Sequence, residues 1–221
     1  KREKKRKKNN QTENEKKEED KKKEEATAKN QGNRRKGITV NVGYTITSNG
    51  RINVRLHYPG AQGLPELPLF GMQFVLKKEF NNFKYYGIGP WENYCDRNHG
   101  GKIGIFSGTA EKNMEGYLKP QSCGNRTETR WMETNDGQTT LRFSAGNGEK
   151  PFQFTVLPYN ETELETAAHY ENLPAVQYTY VKILPVHLGV GGDDSWGSQV
   201  RENCRIQSNQ KIEYCFDMQM K

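Results

Sequence analysis

The stretch Ile38-Thr39-Val40-Asn41-Val42-Gly43-Tyr44-Thr45-Ile46-Thr47-Ser48-Asn49-Gly50-Arg51-Ile52-Asn53-Val54-Arg55-Leu56-His57-Tyr58 decides the fold class. Apolar side chains fall on every second residue from Ile38 to Ile46 and again from Ile52 to Tyr58. A period of two places them on one face of an extended strand. Between the runs stands Ser48-Asn49-Gly50, and Asn-Gly supplies the positive φ angles of a tight hairpin turn. Each strand so formed has one apolar face, which predicts a second layer covering it.

The same pattern recurs downstream. Phe70–Leu76, Phe83–Tyr86, Lys102–Phe106, Phe152–Leu157 and Tyr178–Leu184 read as strands. Thr127–Thr134 and Thr139–Ser144, joined at Asp136-Gly137, read as a second hairpin. Gly87–Tyr94 is too rich in Gly and Pro for regular structure. Only Glu161–His169 has a helical pattern, with Leu164, Ala167 and Ala168 on one side. Val200–Ile206 and Ile212–Met218 are expected to close the chain as a last hairpin turning at Asn209-Gln210. That register would set Cys204 opposite Cys215, with both thiols reduced, because a cross-strand disulfide is usually strained. About ten strands and one short helix predict an all-β fold, an antiparallel β-sandwich.

Charge divides the chain differently. Residues 1–36 carry 16 Lys+Arg against 8 Asp+Glu, while the remaining residues carry 18 against 19. The net charge of +7 therefore belongs to the first segment. That segment holds no aromatic, Leu, Ile or Val residue, so it cannot bury enough surface to offset backbone entropy and is expected to be a disordered, low-complexity tail. Residues 37–221 are the expected domain. A nearly neutral domain offers no basic groove, so nucleic acid is not an expected partner, unless the tail itself is a basic arm whose binding falls steeply with salt. No apolar run approaches the roughly 18 residues of a membrane span, and no signal-peptide core is visible. The expected compartment is a reducing cytoplasm, and the N-x-T triplets at Asn10, Asn125 and Asn160 are taken as chance. The four cysteines and four histidines show no zinc spacing, and neither a G-x-S-x-G elbow nor a P-loop is present.

Two blocks stand out as chemistry. Gly191-Gly192-Asp193-Asp194-Ser195-Trp196-Gly197 sets an indole among carboxylates and a hydroxyl. A flat apolar plate beside polar groups suits the C–H face of a pyranose, although a Trp at a turn also commonly plugs a core. Tyr85-Tyr86-Gly87-Ile88-Gly89-Pro90-Trp91-Glu92-Asn93-Tyr94-Cys95-Asp96-Arg97 packs acids, amide and guanidinium into a loop. Together with Leu69–Phe74, Tyr117-Leu118-Lys119-Pro120-Gln121 and Gly124-Asn125-Arg126-Thr127, in this order, these blocks resemble the C-terminal domain of the large retaining β-galactosidases, which in some bacteria is a separate small subunit. The resemblance runs from about Gly37 to Lys221.

The resemblance implies several things beyond composition or spacing. The fold would be a super-sandwich of the galactose mutarotase type, packed against a (β/α)8 barrel within an oligomer. Trp196 would reach a galactoside in the barrel's mouth. Asp193, Asp194 and Ser195 would shape the loop presenting it, and Glu92, Asn93, Tyr94, Asp96 and Arg97 would brace an irregular loop. This chain itself would bind no metal; magnesium would sit in the barrel. Where the family commonly has Glu-Asn-Gly after Pro-Gln, this chain has Ser122-Cys123-Gly124. The family's domain also begins further upstream than Gly37, so a sandwich truncated on its N-terminal side, with an exposed edge, is expected.

Catalysis by this chain alone is not expected. Retaining hydrolysis needs two carboxyl groups about 5–5.5 Å apart across the scissile bond. Asp193 and Asp194 are sequence neighbours, and no fixed separation across a sugar follows from that. Two alternatives have different signatures: a free-standing carbohydrate-binding module would bind galactosides unaided, and a mutarotase-like aldose epimerase would set a His beside a carboxylate in a cleft.

Overall fold

The computed structural model describes residues 38–221. Among them the backbone forms eleven strands, one α-helix and two 3-10 turns. The opening hairpin is as expected. β1 (Asn41–Ile46) and β2 (Ile52–Tyr58) pair antiparallel, with Ile46 opposite Ile52 and Gly50 at φ 78° in the turn. β3 is Leu69–Lys77, β4 Asn82–Gly89, β5 Lys102–Thr109, β6 Arg126–Thr129, β7 Trp131–Asn135 and β8 Thr140–Ala145. β9 (Phe152–Leu157), helix α1 (Glu161–Thr166), β10 (Tyr178–His187) and β11 (Ile212–Met220) complete the chain. Asn160 caps α1: its side chain accepts from Glu163 N–H at 2.9 Å, and Glu163 reaches back to Asn160 N–H at 2.8 Å. That reciprocal box closes the exposed donors of the first turn.

The strands make two sheets. One has seven strands in the order β1-β2-β11-β8-β7-β4-β5, the other four in the order β3-β10-β9-β6, and every pairing is antiparallel. Their inner faces meet in one aromatic core. Phe74 of β3 packs on Phe143 and Phe216 of the large sheet, and Phe154 of β9 packs on Phe83 and Tyr85. Val54, Met132, Phe143, Phe152, Phe154, Val181, Ile183 and Phe216 are fully excluded from solvent. The protein is an antiparallel β-sandwich. The expected disordered tail, residues 1–36, lies outside the described residues.

Four expectations are corrected. First, β4 continues through Gly87-Ile88-Gly89 instead of breaking there. A Cβ on Gly87 would stand 2.7 Å from Thr129 Oγ1, so this glycine admits β6 rather than bending the chain. Second, Thr127–Thr134 is not one strand. Glu128 takes φ 53°, and the chain leaves the small sheet in β6 to enter the large one in β7. Third, Val200–Ile206 does not pair with β11, whose neighbours are β2 and β8. Ala61 N–H donates to Ser208 O and Leu67 N–H to Ile206 O, so this stretch follows the β2–β3 connection, and Glu202–Cys204 is a 3-10 turn. Cys215 therefore faces Arg55, while Cys204 is disulfide-bonded to Cys95 with Cα atoms 5.9 Å apart. Fourth, the apolar face of β1 is not covered by the described residues. Val42 and Tyr44 lie in register with the buried Leu56 and Val54, yet they are 42% and 57% exposed. Four strands cannot roof seven, and β1 extends past the last of them.

Candidate functional site

The two loops singled out by their polar residues meet at one end of the sandwich. Pro90 follows β4, and with no N–H to continue the ladder the chain turns out into residues 92–97. Asn93 is 3% exposed and ties this loop down. Its Oδ1 accepts from Thr127 N–H at 2.8 Å and from the Thr127 hydroxyl; its Nδ2 donates to Ile88 O at 3.0 Å and Trp91 O at 2.9 Å. Glu92 accepts from Gly124 N–H at 2.7 Å, Tyr94 Oη at 3.2 Å and the Tyr117 hydroxyl. Burial and the Glu92 charge hold the Tyr94 phenol neutral, far above its usual range. Its ring packs edge-on against His187.

Asp96 and Arg97 join this loop to the second. The buried Asp96 carboxylate accepts Val190 N–H at 3.1 Å and Gly191 N–H at 2.9 Å. Gly189 permits that approach, since a Cβ there would lie 2.4 Å from Asp96 Oδ2. Arg97 donates to the carbonyls of Asp96 and Gly191 and pairs with Asp193 at 2.9 Å. Arg201 closes on the other oxygen of Asp193 at 3.0 Å. The Cys95–Cys204 bond fastens the same two segments.

Above this base the second loop projects. Asp194 Oδ1 accepts Trp196 N–H at 2.8 Å and Ser198 N–H at 3.2 Å, which folds the tip into a tight turn. Arg201, then Arg97, hold the Asp193 carboxyl below the usual range; hydrogen bonds from Ser198 and the Trp196 N–H do the same for Asp194. Both carboxyls are ionised and committed to the loop. Ser195 is exposed, and the Trp196 indole is 93% exposed.

The sequence pointed to both loops but not to their union. Arg201 and Cys204 were missed as partners, because contacts such as Arg97–Gly191, 94 residues apart, leave no periodic trace. Gly124, in the segment that departs from the family pattern, has φ 70° and gives its N–H to Glu92. Among the described residues no group of His, Cys, Asp and Glu could hold a metal ion, and no helix is long and apolar enough to cross a membrane. His57 bonds Glu213 across exposed strands, where Lys211 also binds Glu213 at 2.9 Å. His187 is half-buried, and its Nδ1 lies 2.7 Å from Leu188 O.

An antiparallel two-sheet sandwich with a Trp-bearing loop braced by a second loop defines the class. The family model for the β-galactosidase small chain matches residues 1–220, and the chain belongs to that family. It is 39% identical over 176 residues to β-galactosidase BgaC of Bifidobacterium adolescentis, covering 78% of this chain and 17% of that protein. It is 37% identical over 186 residues to a β-galactosidase of Halalkalibacterium halodurans, covering 82% of this chain and 18% of that protein. Against the β-galactosidase small subunit of Latilactobacillus sakei the identity is 37% over 191 residues, covering 81% of this chain and 59% of the relative. The chain thus spans under a fifth of the long relatives and somewhat over half of the small subunit.

Proposed function

We propose that this chain works as the sandwich part of a β-galactosidase, presenting Trp196 to a galactoside held by a catalytic barrel that it does not contain. The observation that carries this reading is the exposed indole on a fixed base. A Trp is usually buried because its apolar area is large. Here two Arg–Asp pairs, two backbone bonds to Asp96 and a disulfide hold an indole that packs on nothing of its own. Such an arrangement suits a plate completed from outside. The apolar face of β1, which the described residues leave exposed, is a second surface suited to the same larger assembly.

On this reading the reacting carboxyls and any magnesium reside in the catalytic partner, Asp193 and Asp194 only shape the tip, lactose is a substrate, and the working state is an oligomer. The exposed His57–Glu213 pair and the half-buried His187, whose Nδ1 lies against Leu188 O, favour this reading over acid–base epimerisation of free sugars.

The test is reconstitution with a catalytic subunit and an aryl galactoside. The chain alone is expected to give no turnover, and the complex to give turnover. Trp196→Ala is expected to raise KM about tenfold, the scale of one aromatic contact. An unchanged KM removes the stacking role; turnover by the isolated chain removes the accessory role.

A further inference from the structure

The margin of the large sheet away from β1 carries a cavity of about 240 Å³. It lies on the inner face of β4 and β5, where the four-stranded roof ends at β6. Phe83, Tyr85 and Phe106 form its aromatic wall, and Trp91, 76% exposed, stands at its rim. Asn113 and Arg126 line its buried end. Gly108 also lines it; a Cβ there would stand 2.9 Å from the Phe83 ring.

Arg126 is the unusual group. It is only 6% exposed. Nε donates to Tyr85 Oη at 3.1 Å, Nη1 to Asn125 O at 3.1 Å and Nη2 to Asn113 Oδ1 at 2.8 Å. All three acceptors are neutral. Among the described residues no carboxylate makes an ion pair with it. A guanidinium has five N–H donors, so two remain, and its charge is uncompensated. A buried charge without a counter-charge is costly, and a planar fork is matched best by a carboxylate. Tyr85 and Asn113, which hold the guanidinium, both line the cavity, so the fork is fixed at its inner end.

The geometry points to a binding site for a small sugar acid, a hexuronate whose carboxylate pairs with Arg126 and whose C–H face lies on Trp91. The ring body suits an aromatic wall, and the open edge of β5, whose residues 107–109 also line the cavity, leaves backbone groups that can take its hydroxyls. Lys112, which also lines the cavity, favours an anion; the half-buried Glu115 opposes a second negative charge, so the ligand carries one. This site is separate from Trp196 and needs no catalytic partner.

The experiment is a calorimetric titration of the full 221-residue chain with galacturonate, its methyl ester, galactose and acetate. Galacturonate is expected to bind, with the ester and galactose at least about tenfold weaker, as loss of a charge-assisted pair implies. Arg126→Gln is expected to cost a similar factor. The ester leaves the protein untouched, so the charge requirement is read even if that variant folds poorly. The exposed Trp91→Ala is expected to weaken galacturonate several-fold and leave acetate unchanged. Equal binding of acid and ester, or of galacturonate and acetate, overturns the proposal, as does no binding of galacturonate.

Discussion

The loops 92–97 and 191–198 lie against each other and use their polar residues in opposite ways. In the first, Asn93 and Asp96 turn inward and satisfy backbone groups that would otherwise be buried without partners. In the second, Asp193 and Asp194 stay at the surface and shape a tip whose aromatic group touches nothing. One loop is a brace and the other a presenter. The contrast teaches that a run of acids, amides and an aromatic ring does not declare its role; burial does.

The brace should break hardest. Asn93→Ala leaves two donors at Thr127 and two carbonyls short of partners, and is expected to cost about 3 kcal/mol of stability. Urea denaturation measures it, and a loss under 1 kcal/mol would make the brace ornamental. Asp96→Ala frees only Val190 and Gly191 N–H, and about 2 kcal/mol is expected. It should also speed protease cleavage between Gly191 and Arg201; cleavage at the wild-type rate would show that the disulfide and Arg97 suffice. Trp196→Ala should leave stability within about 0.5 kcal/mol, as for an exposed side chain, while weakening sugar binding in the reconstituted enzyme by about 1–2 kcal/mol. A destabilised variant would make the indole a structural plug.

The smallest effect is electrostatic. Arg201, then Arg97, depress the Asp193 pKa, so the contribution of this carboxylate is complete above its unfolded value, about 3.9, and drains away as pH falls through the lower folded value. The tip should therefore loosen as pH falls below about 4. The NMR linewidth of the Trp196 indole follows this, and an Asp193→Asn chain with the same acid response would assign it elsewhere.

Legibility in the sequence followed the range of the interaction. The β1–β2 hairpin was visible because its turn and its alternation are both local. Residues of both loops were visible as a dense block of functional groups. Helix α1 was visible but overrun: the pattern suggested Glu161–His169, and the helix ends at Thr166, with a 3-10 turn at Tyr170–Asn172. The last hairpin misled because Val200–Ile206 has strand-like residues and no local sign that residues 61–67 claim it instead.

Alternation at period two marked most of the strands of this chain, and the ordered Gly-, Trp- and Asp-bearing blocks marked its family, since both are written in neighbouring residues. Which apolar faces are covered, that Cys204 bonds Cys95, that Asp96 carries the Trp196 loop and that Arg126 lacks a counter-charge were decided only in three dimensions. Each of these depends on groups many tens of residues apart being brought together by the core, and burial is a property of that assembly rather than of any residue within it.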